Sequence, residues 1–275
     1  MSAADSRIRR ESRLFALVAV VCTALLAKSS GAQDSATELA KQARNPLTDL
    51  VNIPLENDFY FHAGENHSTV YVLNIQPVIP IPLIDDWNLI TRTIIPVIRA
   101  APLSAGESAV AGLGDINPTF FVTPKSTEEW IWGAGPSFTF PTATNRQLGS
   151  GKWSAGPAFG LVYSGGPWVI GGIVDNELSF AGWGSSRVNQ MSLQPAVNYN
   201  FTNGWYLTSG PTFTANWEAE GEDRWTVPVG GGFGKAINFG DSSFVLQLQG
   251  FYFAEKPQFD PNWQLCFTVQ LLFPE

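Results

Sequence analysis

A chain of 275 residues with 16 Lys+Arg against 24 Asp+Glu, net charge −8, has no basic excess for phosphate contacts, which sets nucleic acid aside as a partner. Ten Trp and nineteen Phe beside only 15% charged residues are a heavy aromatic load, and with two cysteines the chain is no disulfide-stapled scaffold.

The chain opens on Arg7, Arg9, Arg10 and Arg13, then runs apolar from Leu14 to Ala27 and into the small residues of "SSGAQ". A basic head, an apolar stretch and a small-residue site at Ser30 and Ala32 predict a secretory signal peptide over 1–32. The apolar stretch is shorter than the ~20 residues a spanning helix needs. Val21 stands before Cys22 where a lipidation site requires a small residue, so no lipoprotein is expected. Residues 1–32 hold five of the basic and two of the acidic residues, so cleavage after Ala32 leaves eleven basic, twenty-two acidic, and net −11. It also leaves Cys266 alone, without an intrachain partner. Residues 33–50 read as a periplasmic N-terminal segment in which Leu39, Ala40, Ala43 and Leu47 suggest a short amphipathic helix interrupted at Pro46. Of a disordered lead-in and a small plug, the lead-in is expected.

From residue 51 onward the hydrophobic period changes to two. Stretches near 51–62, 69–79, 87–98 and 115–123 alternate loosely, while Trp130, Trp132, Phe138 and Phe140 alternate with Gly133, Gly135, Ser137 and Thr139. Around 152–163, Trp153, Ala155, Pro157, Phe159, Leu161 and Tyr163 alternate with small and polar residues, and a Ser-Gly-Gly-Pro turn leads into 167–180. Further runs begin at Met191, Trp205, Trp225 and Phe244. The last is the cleanest: Trp263, Leu265, Phe267, Val269, Leu271 and Phe273 alternate with Gln264, Cys266, Thr268, Gln270 and Leu272. The count is twelve strands in residues 51–275. Pro157, Pro195 and Pro211 fall inside runs and are expected to mark bulges.

One face of these strands is large and apolar, and the other is Gln, Asn, Thr, Ser and Gly. A soluble barrel fills its interior with the large set. Here the small polar set would leave a dry core unfilled, and aromatics stand at strand ends as interface girdles do. After Ala27 no apolar run is long enough for a spanning helix, so a membrane protein of this sequence must close as a barrel to satisfy its backbone. About eleven residues at ~3.3 Å each, tilted by ~45°, cover the ~25 Å apolar band. "SGGP", "TNG" and "NFGDS" are short connections; "RAAPLSAGESAVAGLGD", "TATNRQLGSG" and "EAEGED" are longer and alternate with them. The expected fold is all-β, an antiparallel up-and-down transmembrane β-barrel. A secreted β-sandwich is the soluble alternative, since the same alternation serves it.

The stretches "VLNIQPVIPI", "DWNLITRTIIPVI", "GLGDINPTFF", "GKWSAGPA", "VNQMSLQPAVNYNF", "GWYLTSGP" and "RWTVPVGGGFGK" resemble a family of bacterial outer-membrane transporters. That family is related to proteins encoded beside the MetA pathway of phenol degradation, and its members are often labelled neuromedin U. The resemblance covers roughly 36–275 and implies an outer-membrane barrel that passes small molecules, aromatic ones among them. It supplies no catalytic residues. It also implies lipid, lipopolysaccharide and, through the C-terminal strand, the barrel-assembly machinery as partners. Insertion signals of such barrels usually finish on an aromatic, whereas Phe273 is followed here by Pro274 and Glu275.

Strand parity puts Asp115, Lys152, Asp175, Glu177, Gln190, Asn216 and Arg224 inward near the mouth, with Arg92 deeper. A Lys or Arg facing lipid at the midplane costs ~2–4 kcal/mol, which argues for an inward Arg92. Two readings stay open for this set. It forms a mixed-charge constriction orienting a polar or anionic solute, or it pairs across the lumen and only braces the barrel. No enzyme is expected. His62 and His67 are the only histidines and lack metal-ligand spacing, and no Gly-x-Ser-x-Gly turn is present. No cofactor or metal site is expected: Gly230-Gly231-Gly232 has no Lys-Ser/Thr and no following helix. "EAEGED" at 218–223 is a solvated loop or a divalent-cation bridge to lipopolysaccharide. Against the channel stand a closed structural or adhesive barrel and, less favoured, a lipid hydrolase using His62.

Overall fold

The structure is a computed structural model that describes residues 33–84, 86–125, 129–239 and 242–273. The expected signal peptide and the Pro274-Glu275 end lie outside these residues. A helix α1 (Gln33–Arg44) precedes the strands β1 (Val51–Ala63), β2 (Ser68–Ile75), β3 (Val78–Ile84), β4 (Trp87–Ala100), β5 (Val110–Leu113), β6 (Asn117–Pro124) and β7 (Trp130–Thr139). There follow β8 (Lys152–Gly165), β9 (Trp168–Gly182), β10 (Asn189–Asn200), β11 (Trp205–Ser209), β12 (Phe213–Asn216), β13 (Trp225–Phe239), β14 (Ser242–Glu255) and β15 (Trp263–Phe273). Among the described residues, pairing is antiparallel and runs around a full circle, closing where β10 meets β9 and where β15 meets β1. Three spanning strands are each made of two pieces, β2 with β3, β5 with β6 and β11 with β12. The fifteen segments are therefore the twelve strands of one barrel.

The barrel is inside out relative to a soluble one. On β15, Cys266, Thr268 and Gln270 are buried while Trp263, Leu265, Leu271 and Phe273 are exposed. Ser137, Asn198, Asn52 and Gln247 are likewise buried, and Trp130 at 56% and Phe180 at 69% exposure face out. An apolar exterior around a polar interior is the arrangement a bilayer stabilises. No helix among the described residues is long and apolar enough to cross a membrane. The aromatic pairs fall into two belts. Trp87–Trp132, Trp130–Tyr163, Trp168–Tyr199 and Trp205–Phe233 ring the end where the chain enters and leaves the barrel. Phe140–Trp153, Trp217–Trp225 and Tyr252–Trp263 ring the other. Amphipathic rings at both heights match the two membrane interfaces.

The interruptions refine the expected strands. Residues 110–113, expected as loop, pair with β4, and the strand breaks at 114–116 because loop 140–151 docks into it. Ile116 donates its N–H to Thr142 Oγ1 (3.0 Å), Thr144 donates to the Leu113 carbonyl (3.0 Å), and Thr142 Oγ1 donates to the Gly114 carbonyl (3.0 Å). Of the three prolines expected at bulges, only Pro211 marks an interruption, in the gap 210–212 between β11 and β12. Pro157 and Pro195 continue β8 and β10 in register with Pro136 and Gly172. A register shift occurs instead at Val227/Pro228.

The segment expected as a lead-in is packed inside the barrel from Leu39 to Leu50. Ala40, Ala43 and Leu50 are buried with Tyr206, Ala236, Val245 and Leu272, and Leu47 is buried with Val78, Ile90, Phe121 and Ile173. Inward glycines make the room. A Cβ on Gly160 would lie 3.1 Å from Leu47 Cδ1, and one on Gly133 3.4 Å from Leu47 Cδ2. Gly160 gives one reason why the small face of "KWSAGPAFGLVYSGG" is small: there, as at Gly133 on the neighbouring β7, the wall makes room for Leu47.

Candidate functional site

A cavity of about 970 Å³ occupies the lumen above the plug. The inward faces of β1, β2, β4, β14 and β15 build much of its wall, β10 to β13 and the loops complete it, and Arg44 at the end of α1 contributes to its floor. Alternation on β1 aims Glu56, Asp58 and Tyr60 at this space while Leu55, Asn57 and Phe59 take the other face. Asp58 is 1% exposed and accepts Asn74 Nδ2 (3.0 Å) and Gln264 Nε2 (2.8 Å), one amide on each oxygen. Glu56 accepts Gln76 Nε2 at 3.1 Å. Glu56, Asp58 and Cys266 bring their possible ligand atoms within 4.8 Å of one another. The two amides on Asp58 already occupy its oxygens, so the grouping reads as a hydrogen-bonded wall.

Arg92 stands across from Glu56. One of its nitrogens, Nη2, donates to Gln76 Oε1 (2.9 Å) and Gln194 Oε1 (3.0 Å). The result is a polar strut from β10 through β4 to Gln76 and Glu56 on the β1 side. At the floor, Arg44 donates to Gln247 Oε1 and Gln270 Oε1 and lies 5.4 Å from the centre of the Tyr206 ring. Tyr206 itself donates to Gln247 Oε1 at 3.1 Å, over Gly234, where a Cβ would sit 2.2 Å from the Tyr206 oxygen. The cavity wall carries five carboxylates, Glu56, Asp58, Glu65, Glu107 and Asp260, against two guanidiniums, Arg44 and Arg92. In formal balance this wall is acidic. Asp260 lies in the loop after β14, accepts Thr226 Oγ1 at 3.3 Å, and is pushed above the usual carboxylate range chiefly by burial.

Of the eight residues expected to face inward, Arg92 alone is among those around this cavity. Asp115 is spent on loop 140–151, accepting the N–H groups of Ala143 (3.1 Å) and Ser150 (2.7 Å). Lys152 donates from Nζ to the Gly184 carbonyl (2.7 Å), tying β8 to the loop after β9. Glu177 is buried and accepts Ser137 Oγ (2.6 Å), Thr139 Oγ1 (2.7 Å) and Asn117 Nδ2 (2.8 Å), which braces β6, β7 and β9. Asp175 and Gln190 sit on β9 and β10 opposite Ser192 and Glu177. Arg224 donates to the Ala219 carbonyl and lies over the Trp217 ring. Asn216 is exposed at the end of β12, and its Oδ1 accepts the Glu218 N–H. His62 and His67 are exposed at the first loop, their rings 6.0 Å apart. Glu177, Lys152, Asp115 and Arg224 are thus held by bonds to neighbouring strands and loops, and these bonds join none of the four to another. Sequence reading missed Glu56, Asp58, Gln247, Gln249 and Arg44. Parity on β1 and β14 marks the first four as inward, while nothing local in the sequence shows Arg44 turning into the lumen.

The backbone is similar to the COG4313 outer membrane channel from Pseudomonas putida F1, with TM-score 0.60 and 18% identity over 82% of this chain and 96% of that one. A second solved structure, the CymD monoaromatic hydrocarbon channel, aligns over 87% of this chain and 92% of that one, with 10% identity and TM-score 0.47. No family model matches the chain, and no curated relative does either. At 18% identity the first likeness is one of fold, and it extends over nearly the whole of that channel.

Proposed function

We infer that this protein is an outer-membrane channel of a Gram-negative bacterium that passes small, largely apolar molecules, aromatic ones included, without cofactor or covalent chemistry. The observation that carries it is the cavity of about 970 Å³ inside a closed barrel whose outer wall is apolar and whose inner wall is polar. The Pseudomonas channel with the same fold supports the reading, as does the resemblance of the strand motifs to the transporter family related to the MetA-pathway proteins. On this reading residues 1–32 direct export, 33–50 form a plug at the periplasmic end, and 51–275 are the barrel. Outer-membrane lipid and lipopolysaccharide surround it, and the barrel-assembly machinery recognises β15. Asp115, Lys152, Asp175, Glu177, Gln190 and Arg224 hold the mouth in shape, with Arg92 facing the solute.

A closed barrel is the second reading, favoured by Leu47 and α1 filling the terminal end of the lumen. Single-channel recording of the refolded, heat-modifiable protein, with and without residues 33–50, separates the two. Discrete current steps that grow on removing the segment support a plugged channel. A silent bilayer from inserted protein of both kinds refutes transport.

A further inference from the structure

Gln249 lies on the inward face of β14, 5% exposed, and belongs to the cavity wall. Its Nε2 has no hydrogen-bond partner among the described residues. Which end of this amide is left over follows from a chain of donors. An arginine only donates, so Arg44 requires the oxygen of Gln247, and the Tyr206 hydroxyl points to that same oxygen. The amino end of Gln247 must then face Gln249, and it donates to Gln249 Oε1. Turning the Gln249 amide over would set two amino groups against each other, so Nε2 is the free end. A buried donor without an acceptor is costly, and something with an oxygen relieves it.

The neighbourhood says what kind of oxygen. The row across the wall from Gln249 runs through Cys266 and Asp58 to Val72 and Ile98 by direct strand partners. Phe251 stands one inward position above Gln249 on the same strand, and with Val72, Ile94 and Ile98 it gives the cavity apolar surface. Five carboxylates against two guanidiniums disfavour an anion. On the other side of Gln249 in the row is Gly232, which leaves the wall bare of side chain beside the amide.

Resting on the channel reading, we propose that Gln249 is the hydrogen-bond donor of a solute subsite in the lumen, that it takes the oxygen of a small uncharged molecule with an apolar ring or chain, and that Arg44 of the plug sets the donor's direction through Gln247. Solute and plug are thereby joined: when Arg44 withdraws, Gln247 is free to turn and the donor loses its imposed direction.

The test is ligand-observed fluorine NMR on the refolded protein in micelles, with empty micelles as the blank. The probes are 4-fluorobenzaldehyde, 4-fluorotoluene and 4-fluorobenzoate. One neutral hydrogen bond predicts the aldehyde binding about three- to tenfold tighter than the hydrocarbon, with the benzoate weakest. In Gln249→Met the aldehyde-to-hydrocarbon ratio falls to about one, and in Arg44→Met it falls part of the way. A wild-type ratio of one, a benzoate that binds tightest, or a ratio that survives Gln249→Met overturns the subsite. The wild-type comparison stands even if a variant does not refold. A silent bilayer with the ratio intact sinks transport and leaves the subsite; clear conductance with a flat ratio sinks the subsite and leaves transport.

Discussion

Leu47→Ala tests whether 33–50 is held in the barrel by packing. The Leu47 side chain is 3% exposed and seated among Val78, Ile90, Phe121, Ala158 and Ile173, above Gly133 and Gly160. A buried Leu→Ala change costs about 2–5 kcal/mol, and the lower part of that range applies to a segment that relaxes at the barrel end. About 2–3 kcal/mol shifts the ratio of docked to released plug by about thirty- to 150-fold. Trypsin reads that ratio: Lys41 and Arg44 are cut only when the segment leaves the lumen, and cleavage tracks the population of the open form when reclosing is fast. The initial rate of cleavage at these two sites is expected to rise by the same factor, with the barrel intact on a heat-modifiability gel. Leu207→Ala, on the lipid-facing side at 53% exposure, leaves the rate where it was. A Leu47→Ala rate within about twofold of wild type refutes the packing argument.

Gly160→Leu approaches the same contact from the wall. The new side chain needs the space of Leu47 Cδ1, so trypsin sensitivity and single-channel current both rise, and an unchanged pair would show that the plug does not depend on this glycine. Arg92→Ala removes one of two guanidiniums facing five carboxylates, so the reversal potential in a salt gradient moves toward stronger cation selectivity; a shift toward anions contradicts the charge balance of the wall. Asp260 carries a pKa raised by burial, so its ionised form is disfavoured in the folded loop, and the stability present below its unfolded pKa is lost as pH rises through the folded value. Asp260→Asn therefore raises thermal stability at pH 7 and leaves it unchanged near pH 3, and a gain that is equal at both pH values sinks the linkage.

The period-two pattern of residues 51–273 by itself determined that the chain is all-β, with one large apolar and one small polar face along its strands. Side-chain alternation is a local property of a pleated strand, and Gln, Thr and Asn are too small and polar to fill a dry core, which set the oil outside once the strands close. The alternation of short and long connections likewise set the termini and the tight turns at one end. Parity even placed Arg92 inward. What each inward group does was decided only by the closed structure. Glu177 and Asp115, which read as charges at a mouth, are held by hydroxyls and amides from β6, β7 and loop 140–151, far away in sequence. The lead-in became a plug because Leu47 meets Gly133 and Gly160, residues some ninety to one hundred and ten positions later. Arg44 reaches Gln247 and Gln270 across more than two hundred residues, and no local pattern encodes that meeting. Closure of the barrel brings such groups into one low-dielectric lumen, where a charge or amide must find a partner, and the partners are set by register around the circle, not by spacing along the chain.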